Sequence, residues 1–81
     1  MLKQAELFEY LKKEATEEAQ GFANGMHLDA TKITEKIAEQ RDLIVQLGDS
    51  ISVQPGTSSR YWIDCYIAAL EGILESLRVT P

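Results

Sequence analysis

The chain has 81 residues, the size of one small domain, and a net charge of −5 at pH 7. A chain this short buries only roughly 60–65% of the surface that its unfolded form exposes, so it depends on a disulfide, a metal or oligomerisation for added stability. A single cysteine, Cys65, excludes a disulfide within the chain, and a single histidine, His27, disfavours a tetrahedral metal site. We therefore expect one domain over residues 1–81 that forms a homo-oligomer and needs no metal or other cofactor.

The acidic balance also bears on partners and location. Duplex nucleic acid is disfavoured as a partner, because binding to it relies on clustered Lys and Arg. No apolar run is long enough to cross a membrane, and the first ten residues, MLKQAELFEY, lack the apolar core of a signal peptide. With only one cysteine, these features predict a cytoplasmic protein that does not bind membranes.

The first predicted helix covers residues 2–23. Its apolar residues fall on one broad face at helical spacing, and its many charged residues, Glu14, Glu17 and Glu18 among them, are assigned to the solvated side. Asn24-Gly25 is expected to end the helix, with Gly25 in the left-handed conformation. The apolar face consists of Leu7, Phe8, Leu11, Ala15, Ala19 and Phe22.

The second predicted helix covers residues 30–47 and begins after Asp29, which is a favourable N-cap residue. Its apolar seam has alternating spacings of four and three and is interrupted by one polar residue, Gln40. Gln40 could bond its own copy across a two-fold axis, or it could lie in water at the mouth of the bundle. The seam consists of Ile33, Ile37, Gln40, Ile44 and Leu47.

The third predicted helix, residues 58–78, is apolar over most of its circumference. A helix of this kind must be covered on most sides, and two short helices are expected to leave part of it for a second copy. Its main seam is Ile63, Ile67, Leu70, Leu74 and Leu77, and Trp62, Tyr66, Ala69 and Ile73 form a stripe beside it. The predicted oligomer interface consists of Gln40, Ile63, Tyr66, Ile67, Leu70, Ile73, Leu74 and Leu77.

These elements predict an all-α fold. We expect a three-helix antiparallel bundle, or a helical hairpin with an extra N-terminal helix, in an oligomer with shallow crossing angles. The connection 48–58 contains a Pro55-Gly56 turn and is longer than a minimal bundle needs. It either packs over the end of the bundle or has a function of its own.

The start of the third helix is the candidate ligand site. Free backbone N–H groups at a helix N-terminus, together with hydroxyls and an arginine, can hold a phosphate or carboxylate, and aromatic rings can stack on a base. The simpler interpretation is an N-cap, a solvated arginine and a core tryptophan. The string lacks the glycine spacing and the lysine of a P-loop. The candidate residues are Thr57, Ser58, Ser59, Arg60, Tyr61 and Trp62.

No catalytic set emerges from the sequence. His27 has no acid or nucleophile beside it in the chain, and Cys65 fits a packing role within a helix. The leading hypothesis is a non-enzymatic cytoplasmic helical protein that acts as a homo-oligomer and binds a protein through Tyr10, Tyr61, Trp62 or the Pro55 loop. Its size and acidity suit a phage or mobile-element accessory protein that inhibits a host protein. The alternative is a binder that sequesters an anionic, nucleotide-type molecule such as a cyclic nucleotide.

Overall fold

We analysed a computed structural model that describes residues 4–47 and 60–79, and side chains within 6–46 and 60–78. Over these ranges the fold consists of three α-helices and no strand: α1 is Gln4–Gly25, α2 is Ala30–Leu47 and α3 is Arg60–Val79. The all-α, three-helix prediction is confirmed. The predicted connection with its Pro55-Gly56 turn lies outside the described residues. No helix in the described ranges has the length and apolarity needed to cross a membrane.

α3 is the helix against which both others pack. α1 contacts it through the aromatic pair Phe8 and Tyr61 at its start, and α2 contacts it through an ion pair between Arg41 and Glu71. All three helices contribute to one hydrophobic core, and half of its buried members come from α3. The buried core residues are Leu11, Ala15, Ala19, Ala23, Ile33, Ile37, Trp62, Ile63, Tyr66, Ile67, Leu70 and Leu74.

α1 packs against α3 through a row of alanines. Ala15, Ala19 and Ala23 follow one another at spacings of four, which places them on one side of the helix, and all are fully buried. Small side chains allow two helix axes to approach closely, and a larger residue at any of these positions would overpack the contact. The apolar face predicted for the first helix is confirmed, because Leu11 is also fully buried and Leu7 and Phe22 are half-buried.

α1 ends in a Schellman motif without glycine at its left-handed position. The Leu28 N–H donates to the Ala23 carbonyl at 2.8 Å, and the His27 N–H donates to the Asn24 carbonyl at 3.0 Å. His27 and Leu28 both have φ of 56°, in the left-handed region. The prediction that Gly25 takes this conformation is wrong, because Gly25 is the last residue of the helix.

α2 begins at an N-cap, as predicted. The Asp29 carboxylate oxygen Oδ1 accepts hydrogen bonds from the Thr31 N–H at 2.9 Å and the Lys32 N–H at 3.2 Å. The Asp29 carbonyl accepts the first helical bond from the Ile33 N–H at 3.0 Å. A side chain that satisfies two of the free N–H groups at a helix start stabilises it by about 1 kcal/mol. The four residues 26–29 therefore both close α1 and open α2.

We expect His27→Gly to stabilise the protein, because glycine adopts the left-handed conformation without the steric cost that a side chain brings. The gain should be about 0.5–1 kcal/mol in the free energy of unfolding, since the greater freedom of the unfolded chain offsets part of the relief. Urea titration followed by circular dichroism measures it. The control is Ala38→Gly at an exposed helical position of α2, which should lose about 0.5–1 kcal/mol. A loss of stability in His27→Gly would contradict this account of the turn.

Candidate functional site

The candidate ligand site is only partly within the described residues. Thr57, Ser58 and Ser59 lie outside them, so their predicted role stays a prediction. Arg60 and Tyr61 are half-buried at the first turn of α3, and Trp62 is 4% exposed.

Trp62 belongs to the core and does not present its ring to a ligand. Its indole Nε1–H donates to the Glu14 carboxylate oxygen Oε1 at 3.0 Å, which ties α3 to α1. Its ring stacks on Tyr66, with centroids 5.1 Å apart and planes 20° apart. The prediction that Glu14 lies on a solvated face is wrong, because this carboxylate is half-buried and bonded to the indole. A sequence pattern could not reveal this bond, since it joins residues 48 positions apart.

Tyr61 is also held by neighbours from its own chain. Its ring meets Phe8 edge-on, with centroids 4.7 Å apart and an interplanar angle of 67°. A hydrogen bond with Cys65, together with partial burial, raises the pKa of the Tyr61 phenol above its ordinary value. Cys65 is half-buried and is not in a disulfide. The aromatic half of the predicted ligand site is therefore used mainly for packing between α1 and α3.

Tyr10 is the exposed aromatic residue of the predicted binding set. Its side chain is 51% exposed on α1, and a hydrogen bond with Glu14 raises the pKa of its phenol. Glu14 thus faces both Tyr10 and the indole of Trp62. Among the three expected partner-binding residues that the structure describes, Tyr10 is exposed, Tyr61 is half-buried and Trp62 is buried.

The predicted oligomer interface lies mostly inside the chain's own core. α3 contributes five fully or nearly buried members, which could reach a second copy only if α1 or α2 moved away; these are Ile63, Tyr66, Ile67, Leu70 and Leu74. Ile73 and Leu77 are half-buried at the edge of the core. Gln40 is 8% exposed on the core side of α2, which argues against an amide in open water. Its pairing with a second Gln40 stays a prediction.

A different part of α3 is left uncovered, and it carries no charge. We call it the outer face of α3: Tyr61, Cys65, Ala68, Ala69, Gly72 and Ser76. Ala68, Gly72 and Ser76 are exposed, and the other three are half-buried. At 100° per residue these positions form one continuous arc, while the charged residues Arg60, Asp64, Glu71, Glu75 and Arg78 occupy a separate arc.

A groove runs along one border of the outer face, between α3 and α1. It has a volume of about 390 Å³ and is lined by Thr16, Gln20, Leu28, Ala69, Gly72, Ile73, Ser76 and Leu77. Its polar residues on α1 are bonded locally: the Thr16 hydroxyl donates to the Lys12 carbonyl at 2.7 Å, and Gln20 Nε2 donates to Asn24 Oδ1 at 3.1 Å. The groove therefore offers mainly apolar contact.

The sequence contains a pattern that indicates the outer face, but the stronger periodicity of the large apolar residues obscures it. The small residues Cys65, Ala68, Gly72 and Ser76 recur at spacings of three and four, as a helix-packing seam does. Alanine, glycine and serine contribute little to a hydrophobic stripe, so the periodicity of large apolar residues passes over them. Their value lies in allowing close approach.

Within the described residues, no group of three or more His, Cys, Asp and Glu side chains is arranged to hold a metal ion. His27 is exposed in the turn between α1 and α2, and Cys65 lies on α3. Comparison with protein-family models, with curated proteins and with solved structures found no match to this chain.

We expect Glu14→Ala to destabilise the fold, because it removes the acceptor from the partly buried indole N–H of Trp62. The loss should be about 1–2 kcal/mol in the free energy of unfolding, measured by urea titration with tryptophan fluorescence. Glu14→Gln keeps a carbonyl acceptor and should lose less. Glu17→Ala, an exposed position on the same helix, is the control and should change stability by under about 0.5 kcal/mol. Equal losses in the Ala and Gln variants would contradict the role of the bond.

We expect stability to fall at alkaline pH, and Tyr66 to contribute to that fall. Burial, with the nearby charges of Glu18 and Glu39, raises the pKa of the Tyr66 phenol above its ordinary value of 10.0. A pKa raised by folding gives stability that is complete below about pH 10 and is lost as the pH rises through the folded value. The free energy of unfolding measured from pH 8 to 11 should fall less steeply in Tyr66→Phe than in the wild type. Parallel curves would contradict this.

Proposed function

We propose that this chain is a non-enzymatic cytoplasmic protein that acts as a homo-oligomer and binds another protein. The observation that carries the proposal is the outer face of α3, an uncharged helix surface on which Ala68, Gly72 and Ser76 are exposed. The charged residues that give the chain its net charge of −5 lie outside this face. An uncharged face beside an apolar groove is the kind of surface that proteins use for contact with other proteins.

The size of the chain supports the same proposal. A small domain buries a limited fraction of its surface, so covering a further helix face adds stability that the single core does not supply. Oligomerisation also removes the exposed uncharged face from water without any change in α1 or α2. The proposed oligomer therefore uses the surface of the folded chain and leaves the core intact.

The contacts of α2 support the antiparallel helix pair expected from the sequence. Arg41, in the second half of α2, bonds Glu71 in the middle of α3 at 2.8 Å. Thr34, near the start of α2, lines a surface groove together with Arg78, near the end of α3. In the proposed arrangement α2 therefore runs antiparallel to α3. It covers the side of α3 that lies away from the groove between α3 and α1.

The proposed protein-binding surface includes Tyr10. Its half-exposed ring has an apolar body and a polar tip, a combination enriched at protein interfaces. Lys13 and Glu9 line the same shallow surface, so a partner would meet both charge signs around the ring. This surface belongs to α1 and stays open when a second copy covers α3.

The oligomer is tested by light scattering of the wild-type protein at micromolar concentration. The expected result is a particle mass that is a whole-number multiple of 9.1 kDa and is at least twice that value. A particle of 9.1 kDa that unfolds cooperatively at the same concentration would contradict the oligomer. Dilution into the nanomolar range distinguishes a weak oligomer, whose mean mass falls, from a permanent one.

A further inference from the structure

We propose that Glu18, Gln40 and Tyr66 form a binding site for a primary ammonium group, which a lysine side chain of a partner or a free amine can carry. We call these three residues the polar cluster, and each of them comes from a different helix. The inference goes beyond the proposed homo-oligomer and does not depend on it, because all three residues belong to one chain. It is carried by the level at which the residues lie, by the hydrogen bonds that two of them lack and by the charge around them.

Glu18 and Tyr66 lie one helical turn along from a pair of residues that are bonded to each other. Contacts between α1 and α3 advance in the same direction along both helices, from the first turn of α3 to the groove beside its second half. Glu14 of α1 accepts the indole hydrogen bond of Trp62 at 3.0 Å. Glu18 follows Glu14 by four residues, and Tyr66 follows Trp62 by four. Glu18 is therefore placed beside Tyr66, and its charge helps to raise the pKa of that phenol.

Gln40 reaches the same place from α2. α1 and α2 are joined by the turn at residues 26–29, so positions further from the turn on one helix face positions further from it on the other. Near the turn, the Lys36 ammonium nitrogen lies 5.1 Å from the centroid of the Phe22 ring. Gln40 is one turn beyond Lys36 on α2. Glu18 is one turn before Phe22 on α1, so Glu18 and Gln40 lie at the same level.

Gln40 and Tyr66 bring polar groups to the cluster on side chains that are otherwise buried. Gln40 is 8% exposed and Tyr66 is 4% exposed. Among residues 6–46 and 60–78, no hydrogen bond involves the Gln40 amide or the Tyr66 hydroxyl. Every fully buried side-chain nitrogen and oxygen in these ranges has a partner, so the amide and the hydroxyl each reach the surface. Polar groups on buried side chains are normally bonded, and these two are available to a ligand.

The surroundings of the cluster are acidic. Glu18 is exposed and has no ion-pair partner in the part of the chain that the structure describes. Glu39 also acts on the Tyr66 phenol, but Lys36 offsets its charge, because the ammonium nitrogen lies 3.2 Å from a Glu39 oxygen. Glu14, one turn from Glu18, is half-buried and adds to the negative potential. The charge of Glu18 therefore remains unbalanced.

Three acceptors at one level suit a primary ammonium. The carboxylate, the amide carbonyl and the phenol oxygen can each accept one hydrogen bond, and an ammonium has three N–H donors and no acceptor. Because the acceptors come from three helices they approach from different sides, whereas a guanidinium presents its donors in one plane. Ca²⁺ and Mg²⁺ prefer sites richer in carboxylates, and no group of three or more His, Cys, Asp and Glu side chains in the described ranges is arranged to hold a metal ion.

The site is tested by an NMR titration of the wild-type chain with butylammonium chloride at constant ionic strength. The backbone amide shifts of residues 18, 40 and 66 should change and saturate, with a dissociation constant of about 1–10 mM, as expected of a ligand with so few atoms. Tetramethylammonium chloride has the same charge and no N–H donor, so it should give no saturable change at these residues. The absence of saturation with butylammonium overturns the proposal.

The members of the cluster are tested by three variants that keep the approximate shape of the side chain. Glu18→Gln, Gln40→Leu and Tyr66→Phe should each raise the dissociation constant for butylammonium by about fivefold or more, because each removes a charge or an acceptor. Circular dichroism should show the helical content of the wild type in all three. If Gln40→Leu does not fold, Glu18→Gln and Tyr66→Phe decide the test. Unchanged binding in both of these overturns the site.

The control variant is Glu17→Gln. Glu17 is exposed on α1 and lines a different part of the surface, together with Lys13. Its loss removes the same charge as Glu18→Gln and should leave the dissociation constant within about twofold of the wild type. Equal weakening in Glu17→Gln and Glu18→Gln would show a general attraction of cations to an acidic chain, and would overturn a specific site.

The source of the ammonium is distinguished by two further ligands. One is 1,4-diaminobutane, a free amine, and the other is a short peptide with a single lysine and blocked ends. The ligand that binds more tightly identifies the source. Acetylation of the peptide lysine removes its charge and two of its donors and should abolish binding of the peptide. A peptide that binds equally well after acetylation would overturn the ammonium as the recognised group.

The outcomes separate this site from the proposed function. A chain that is monomeric at micromolar concentration but binds butylammonium as described overturns the homo-oligomer and keeps the site. An oligomer that shows no saturable change with butylammonium overturns the site and keeps the homo-oligomer.

Discussion

The structure depends on covering α3. This helix supplies half of the buried core and contacts both other helices, while its charged residues are confined to one arc. Apolar burial is worth about 25 cal/mol per Å², so side chains such as Ile63 and Leu70 fix where α1 and α2 must lie. The alanine row of α1 lets that helix approach closely, and the capped turn at residues 26–29 brings α2 back to the other side. Beside its charged arc, α3 leaves a strip of small, uncharged residues exposed, which consists of Ala68, Gly72 and Ser76.

Polar contacts also tie α3 to both other helices. Trp62 brings an N–H group into the interior, and a carboxylate from α1 meets it there. Arg41 and Glu71 join α2 to α3 at an exposed position, where an ion pair contributes little to stability but limits how the helices slide. Among the described residues, no fully buried side-chain nitrogen or oxygen lacks a hydrogen-bond partner. The described core therefore contains no fully buried, unsatisfied polar side chain that would lower its stability.

The helices and their buried sides could be predicted from the periodicity of the apolar residues. Leu11, Ile33 and Leu70 each recur at helical spacing with other apolar residues of their own helix, and this shows which side of that helix is apolar. The Asp29 cap could be predicted because capping is local. The left-handed residue could not be predicted: glycine is the favoured type, yet the helix runs two residues further than expected and places His27 at this position in place of Gly25. The bond between Glu14 and Trp62 was equally out of reach, since it depends on how two distant helices align.

The same limit explains the change in the candidate interface. Periodicity shows that Ile63, Ile67 and Leu70 must be covered, but it does not say whether α1, α2 or a second copy covers them. In the folded chain α1 and α2 take these positions, and the exposed uncharged residues of α3 are Ala68, Gly72 and Ser76, which are too small to mark a hydrophobic stripe. Half of the candidate ligand site lies outside the described residues, and its aromatic half is engaged in packing.

The central claim is that folding and association are linked through α3. The most direct measurement is the melting temperature of the wild-type chain as a function of its concentration, over at least a hundredfold range. If unfolding separates the copies, the melting temperature must rise with concentration, because mass action favours the folded oligomer. A melting temperature that stays constant across the range would show that the single chain is complete without a partner and would contradict the account.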